Sequence, residues 1–395
     1  GNKLVSDNFD FAKRQMVHML ENIPQGEAKM PHSINGKGNT SCRSIYWWTS
    51  GFFPGILWYI NEYTGDKAFE SFAKKWTEKL EPVKTFKGNH DIGFMMYCSF
   101  GNAYRLTQNE KYKDILIQSA YSLATRFNPQ VGTIKSWDSW RSWENKHVFK
   151  YPVIIDNMMN LELLFWASKA TGDPSFRNIA ISHAEKTMKY QIRKDGSSYH
   201  LACYDPETGN FIKGETSQGY SNESTWSRGQ GWGIYGFTLC YRETKDPRFL
   251  KTAQRMADYY INHPNLPSDK IPWWDFDTHR PGFIPGKFSK TNKYIQNYRD
   301  ASAASVTASA LLELSSYVKD DKKKIYTETA LQILTSLSSP EYRAEEGKNG
   351  NFILKHSTGA IPHGSEVDVP LIYADYYFLE ALLRYNRMIN NKPIL

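Results

Sequence analysis

The sequence predicts an all-α protein in which six helical hairpins close into an (α/α)6 toroid. Three observations carry that expectation. The first is a recurring turn: YTGDKAF at 63–69, LTQNEKY at 106–112, ATGDPSF at 170–176 and ETKDPRF at 243–249, with a weaker copy, VKDDKKKIY, at 318–326. Each offers a Gly, Asn or Lys to end one helix and an Asp or Asn to start the next. The second is a constant offset. From Trp48 to Thr64 is 16 residues, from Asp91 to Thr107 16, from Asp156 to Thr171 15 and from Arg228 to Thr244 16. A helix of that length rises about 24 Å, so the four starting residues lie at the same end of equivalent helices. The third is that periodic apolar segments dominate and convincing alternating strands are few. Repetition of one helix–turn–helix joint is the mark of a closed or stacked array.

The hairpins follow in order. WTSGF (48–52) opens the first inner helix, and HDIGF (90–94) opens the second. The third begins in VIIDNMMNLELLFWASKATGD (153–173), whose apolar stripe of Met158, Leu161 and Phe165 is widened by Ile155, Met159, Leu164 and Trp166. Asp156, Asn157 and Asn160 stand at its start, where capping by a carboxylate is the ordinary reading. Asn160, one turn later on the same face, needs another explanation. SRGQGW (227–232) opens the fourth inner helix, with Gly233 and Gly236 permitting close packing. RDASAASVTASA, from Arg299, supplies a fifth of small residues, and DVPLIYADYYFLEALL (368–383) a sixth. On the outer helices an aromatic and an alanine recur at helical spacing: Phe69/Ala73, Phe176/Ala180 and Phe249/Ala253. One catalytic domain over residues 1–395 is expected. The inner helix N-termini converge on one mouth, where their dipole ends suit an anion. Capping alone does not require Trp, Arg and His at matching rim positions, so Asp156 is read as functional. Long aromatic-rich loops at 128–147, 193–211 and 263–282 have the character of cleft walls.

Composition narrows the classes. Hydrophobic residues are 40% and charged residues 23% of the 395, as in a globular protein. The 12 Trp, 25 Tyr and 21 Phe exceed what a core needs and suit stacking on sugar rings. The formal net charge of +8 is carried without an arginine-rich arm, so no nucleic-acid partner is expected; the field instead steers a small anionic substrate or serves solubility. No apolar run reaches ~18 residues, so no membrane span is expected. Cys42, Cys98, Cys203 and Cys240 form no CxxC pair, and no HExxH motif occurs, so no metal or other cofactor is expected. A monomer is expected. No signal peptide is read at Gly1, and the compartment, periplasm or cytoplasm of a bacterial-type cell, stays open.

WTSGF, HDIGF, IDNMMN (155–160), the Tyr199–His200 pair, SQGYSNESTWSRGQGWGIYG (217–236), RDASAAS (299–305) and YADYYFLEALLR (373–384) span nearly the whole chain. In that order they resemble glycoside hydrolase family 88, the unsaturated glucuronyl hydrolases. Family 105, acting on unsaturated galacturonyl-rhamnose, shares the toroid, but the SRGQGW and HDxGF contexts are more similar to family 88. The resemblance implies a lyase-generated oligosaccharide, of glycosaminoglycan type, with a 4,5-unsaturated uronic acid at its non-reducing end. It implies hydration of the C4=C5 enol ether, with opening and rearrangement of the product expelling the sugar at C1. It implies Asp156 as general acid/base and Asp91 as the second carboxylate, holding ring hydroxyls and tuning Asp156. His200, Gln218, Arg228 and Trp232 are then implied at the uronate and reacting centre, and Trp48, His90 and Trp137 complete the pocket. The chemistry is coherent on its own terms: an acid must deliver a proton, a neighbouring carboxylate and apolar walls favour its protonated form, and Arg is the fixed cation to balance a uronate.

Structural alternatives stand beside these roles. His90 can bond locally, Trp48 can be core beside Trp47, Trp140 or Trp143 can take the place of Trp137, and Arg228 can pair with Glu223. The last inner helix reads YADYY where many family members read WGDYY. The loop 355–370 before it lies where the family contacts the sugar beyond the cleavage site, so Lys355, Ser357, Thr358 and His363 are either a sulfate site or an ordinary polar loop. The competing functions are a family-105-like unsaturated galacturonyl hydrolase, an inverting glycosidase with two carboxylates, and a non-catalytic glycan-binding protein, against which the two rim aspartates argue.

Overall fold

In the computed structural model, which describes residues 1–24 and 29–395, thirteen helices form the expected ring. Helix α1 (Asn2–Asn22) precedes the hairpins α2 (Phe52–Thr64) and α3 (Lys67–Glu78). The next inner helix is α4 (Ile92–Met96) and α5 (Asn102–Thr107) joined through a π-helical turn at Tyr97–Gly101, and α6 (Glu110–Ala124) returns outside it. Then come α7 (Leu161–Thr171) with α8 (Pro174–Tyr190), α9 (Ser227–Thr244) with α10 (Pro247–Asn262), and α11 (Ala301–Ser315) with α12 (Asp320–Leu337). Helix α13 (Ile372–Ile389) packs on both α11 and α2, which closes the inner ring, and α1 lies outside it as its partner. Inner helices α9, α11 and α13 are buried almost all round, whereas outer α10 buries one stripe, Phe249, Thr252, Ala253, Met256, Ala257 and Tyr260. Each large apolar side chain on that stripe contributes about 1.5–3 kcal/mol.

The turn repeat has a mechanism that explains its threonines. Thr64, Thr107, Thr171 and Thr244 each donate to the carbonyl four residues back and accept the N–H of Asp66, Asn109, Asp173 or Asp246. The intervening residue takes the left-handed conformation: Gly65, Gln108, Gly172 and Lys245. In the second turn that residue is Gln108, and Asn109 is the cap of the following helix. The fifth turn is different, with Asp320 itself at φ 53 and no side-chain cap at Lys319.

Glycine allows the inner helices to touch. A Cβ on Gly93 would lie 2.4 Å from Asn160 Oδ1, and one on Gly236 the same distance from Met158 Cβ. The long loops contain short strands that the sequence did not announce. Pro152–Ile154, Leu201–Tyr204 and Phe211–Glu215 form a three-stranded antiparallel sheet, and Trp140–Arg141 pairs with Val148–Phe149. These build the walls of the mouth where the inner helices start.

Candidate active site

At that mouth lies a cavity of about 520 Å³, a volume suited to a small saccharide. Asp91, Asp156, Gln218, Arg228, Trp48 and Trp137 all line it, so six of the nine expected residues meet on one surface. Asp91 is the residue before α4 but makes no side-chain cap bond there. The helix expected from Asp156 starts instead as a 3-10 turn, Ile155–Asn160. Asp156 Oδ1 is buried with no hydrogen-bond partner among the described residues. The two aspartates are therefore not spent on helix termini. Asp300 shows the contrast, since its carboxylate accepts Ser302 N–H as the cap of α11. Asn160 has a structural role: its Oδ1 accepts Phe94 N–H and its amide donates to Asn157, which in turn bonds Ile134 O. That chain ties the Asp91 helix to the Asp156 turn.

His200 sits behind Asp156, its Nε2 3.5 Å from Asp156 Oδ1. Its Nδ1 accepts the backbone N–H groups of Ser217 at 3.0 Å and Gln218 at 3.2 Å. Burial lowers its pKa. A neutral ring whose Nδ1 accepts two bonds must carry its proton on Nε2, facing Asp156. Arg228, 1% exposed, lies between the Trp226 and Tyr373 rings at 4.5 and 5.0 Å. One terminal nitrogen donates to Thr358 O at 2.8 Å and lies 3.3 Å from Asp300 Oδ2; the other donates to Gly359 O at 3.0 Å and reaches Gln218 Oε1 at 3.4 Å. Its partner is thus Asp300, not Glu223, and it faces the cavity as a charge already fixed from behind.

Three of the nine expected residues do not line the cavity: His200, behind Asp156, and Trp232 and His90. Trp232, one turn after Arg228 in α9, is fully buried against Phe94 and Tyr377. His90 is fully buried beside Asp91, its Nε2 3.0 Å from Asp91 Oδ1. Trp48 is half-buried against Phe52, Phe94 and Tyr373 and still lines the cavity, so it is both core and wall. Of the loop 355–370, only His363 among the four residues singled out lines the cavity, 3.0 Å from Ser217 Oγ. Ser357 and Thr358 are buried and Lys355 turns to Pro340 O, so none of these three lines the cavity.

The wall also holds Ser217, from the 217–236 motif, Trp140, the alternative to Trp137, and residues given no role from the sequence: Arg43, Tyr46, Trp47, Asn89, Ser365 and Glu366. Glu366 bonds His32. Burial pushes its carboxyl up, but His32, Arg228 and Arg43 outweigh that and hold it below the usual range. No cluster of three or more His, Cys, Asp or Glu able to hold a metal occurs among the described residues, and no described helix is long and apolar enough to cross a membrane. The arrangement offers an acid or base (Asp156) with an oriented N–H behind it, a second carboxylate, a buried cation, and aromatic faces for a ring.

Residues 22–241 match the model of Glycosyl Hydrolase Family 88. The chain is 46% identical to an unsaturated glucuronyl hydrolase of Formosa agariphila over 87% of this chain and 80% of that one. It is 34% identical to the unsaturated glucuronyl hydrolase of Bacillus sp. strain GL1 over 93% of both. Among solved structures, an unsaturated glucuronyl hydrolase described as specific for heparin superposes with a TM-score of 0.90, at 45% identity and covering 100% of each chain.

Proposed function

The chain belongs to glycoside hydrolase family 88, and we propose that it releases the 4,5-unsaturated uronic acid from the non-reducing end of glycosaminoglycan-type oligosaccharides left by a lyase, by hydrating the C4=C5 bond. The observation that carries this reading is a pair of aspartates, Asp91 and Asp156, at equivalent inner-helix starts in one cavity, with Arg228 beside them. The name and the 46% identity of the Formosa agariphila relative support the same substrate class.

In this reading protonated Asp156 gives its proton to C4 of the enol ether, and positive charge develops at C5 and the ring oxygen. Asp156, now a carboxylate, takes a proton from water as the water oxygen bonds to C5. The hemiketal formed opens to a ketone by breaking the bond from C5 to the ring oxygen, which leaves C1 as a hemiacetal; that hemiacetal collapses to an aldehyde and frees the leaving sugar as its alcohol. His200 Nε2–H steadies the carboxylate between the two proton transfers. Asp91 binds ring hydroxyls and favours the positive charge near C5. The Arg228 charge and the Gln218 amide receive the uronate carboxylate, and Trp48 and Trp137 bound the ring faces.

The test is turnover of matched disaccharides, unsaturated and saturated at C4–C5, followed by loss of the conjugated-acid ultraviolet absorbance and by release of the reducing sugar. The unsaturated compounds should be consumed and the saturated ones left intact. Cleavage of both at similar rates would overturn the reading in favour of an ordinary two-carboxylate glycosidase.

A further inference from the structure

His200 faces Asp156 through Nε2–H only because two backbone N–H groups, those of Ser217 and Gln218, converge on its Nδ1. Those groups lie in an irregular segment, Ser217–Ser224, with no helix or strand of its own. Trp143 holds the segment at Ser217 O, and Arg193, Glu144 and Glu215 hold it around Asn222, while its middle is gripped by one buried carboxylate. Asp275 Oδ2 accepts Tyr220 N–H at 2.9 Å and the Ser224 hydroxyl at 2.8 Å, while Oδ1 accepts Asp277 N–H at 2.9 Å. Gly219 closes the bend by donating to Thr216 Oγ1; a Cβ there would meet that oxygen at 2.6 Å and Asp275 Oδ2 at 3.2 Å.

The backbone on either side extends the grip. Phe276 N–H donates to Thr225 O, Ser227 N–H to Trp274 O, and Thr225 N–H to Asp277 Oδ2. The segment 274–277 therefore clamps both the His200 turn and the entry to α9, which bears Arg228. Asp275 is fully buried and has no ion-pair partner among the described residues, so these N–H and O–H donors are what stabilises it.

We propose that Asp275 is a positioning residue: by gripping the turn 217–224 it aims two N–H groups at His200 Nδ1 and thereby fixes the imidazole as the Nε2–H tautomer facing Asp156. The effect on turnover rests on the proposed reaction, in which Asp156 moves the protons; the effect on the tautomer does not. Asp275→Asn has nearly the same shape but replaces one accepting oxygen with an amide that donates, opposing either Tyr220 N–H and Ser224 O–H or Asp277 N–H. Ser224→Ala removes one of the three donors and leaves the carboxylate in place.

The experiment is ¹⁵N NMR of histidine-labelled full-length protein, with His200 assigned by loss of its signals in His200→Gln, together with kinetics on an unsaturated disaccharide. In the wild type Nδ1 should be unprotonated and Nε2 protonated. Asp275→Asn should show a tautomer mixture and a kcat lower by about tenfold or more, the usual scale for a small misplacement of a catalytic group, with a much smaller change in KM. Ser224→Ala should move both in the same direction by less, and carries the test if Asp275→Asn does not fold. An unaltered single His200 tautomer in the soluble variants would overturn the proposal, as would a fall in kcat without any tautomer change. A shifted tautomer in a protein whose wild type does not hydrate unsaturated disaccharides would leave the positioning role standing and refute the proposed reaction instead.

Discussion

Arg228→Lys keeps the charge and removes the planar fork, and the structure sets the size of the effect. The guanidinium's two terminal nitrogens face Asp300 Oδ2, Ser302 Oγ, Thr358 O, Gly359 O and Gln218 Oε1. A lysine ammonium has three donors at one point, so it can keep the Asp300 pair and one carbonyl but not both carbonyls together with Gln218. One buried carbonyl left without a donor costs about 1–3 kcal/mol. Loss of the flat cation between Trp226 and Tyr373 costs about 1 kcal/mol more. The expected destabilisation is therefore about 3 kcal/mol. With an unfolding entropy of ~2.1 cal/mol/K per residue, a 395-residue chain loses about 0.8 kcal/mol per degree near Tm. The expected fall in Tm is about 4 °C, read by differential scanning calorimetry. Because Thr358 and Gly359 belong to the loop that carries Glu366 and His363 to the cavity, kcat/KM on an unsaturated disaccharide should fall by about tenfold or more. An unchanged Tm would refute the claim that the guanidinium ties that loop to α9, and an unchanged kcat/KM would refute its role at the substrate.

Asp156→Asn preserves shape but removes the transferable proton, so kcat should fall by roughly 10²–10⁴ with little loss of stability; retention of a tenth of wild-type turnover would remove Asp156 from the acid role. Asp91→Asn should lower kcat by about 10² or more, whereas a rise confined to KM would make Asp91 a binding residue only. His183 is a third case, read through pH. It is fully buried, accepts Ile134 N–H, and has its pKa lowered by burial from 6.5 to about 3. The unfolded chain takes up this proton first, so stability falls as pH drops from 6.5 towards 3, by about 2 kcal/mol at pH 5 from this group. Asp275 and Asp375, raised by burial to about 7 and about 8, act in the opposite sense. The test is therefore a signed difference: the urea midpoint at pH 5 relative to that at pH 7.5 should be higher in His183→Asn than in wild type, and an identical difference in the two proteins would contradict the assignment.

The ring was legible in the sequence because its joints are chemical. A threonine, a left-handed residue and an Asp or Asn cap leave a fixed string, and helices of equal length bring every inner start to one mouth. Asp91, Asp156 and Arg228 were legible for the same reason, since their offset from a turn fixes their height in the barrel. Height is not orientation, which an offset from a turn does not fix. Trp232 is one turn from Arg228 but is fully buried against Phe94 and Tyr377, and His90 precedes Asp91 but is fully buried beside it. The walls were less legible still. Their strands are two to five residues long, too short for a two-residue period to register. Glu366 reaches the cavity only because a long-range partner, His32, holds it there, 334 residues away in the chain. Asp300 carried a visible signal, as an acid beside Arg299 at an inner-helix start, but its pairing with Arg228 depends on two neighbouring helices.

The account stands on where solvent enters the product, and the most direct measurement is the reaction of an unsaturated disaccharide in D₂O followed by NMR from the first turnovers. If Asp156 protonates the enol ether, one solvent deuteron must appear at C4 of the released uronic acid, at the same rate as the double bond is lost. In ¹⁸O water the label enters at C5, where the later ketone exchanges it, so the C4 deuterium is the firmer readout. Deuterium at C4 in every released molecule is the predicted result. Release of the sugar with the double bond intact and no deuterium at C4 would contradict hydration and leave direct displacement at C1 as the mechanism.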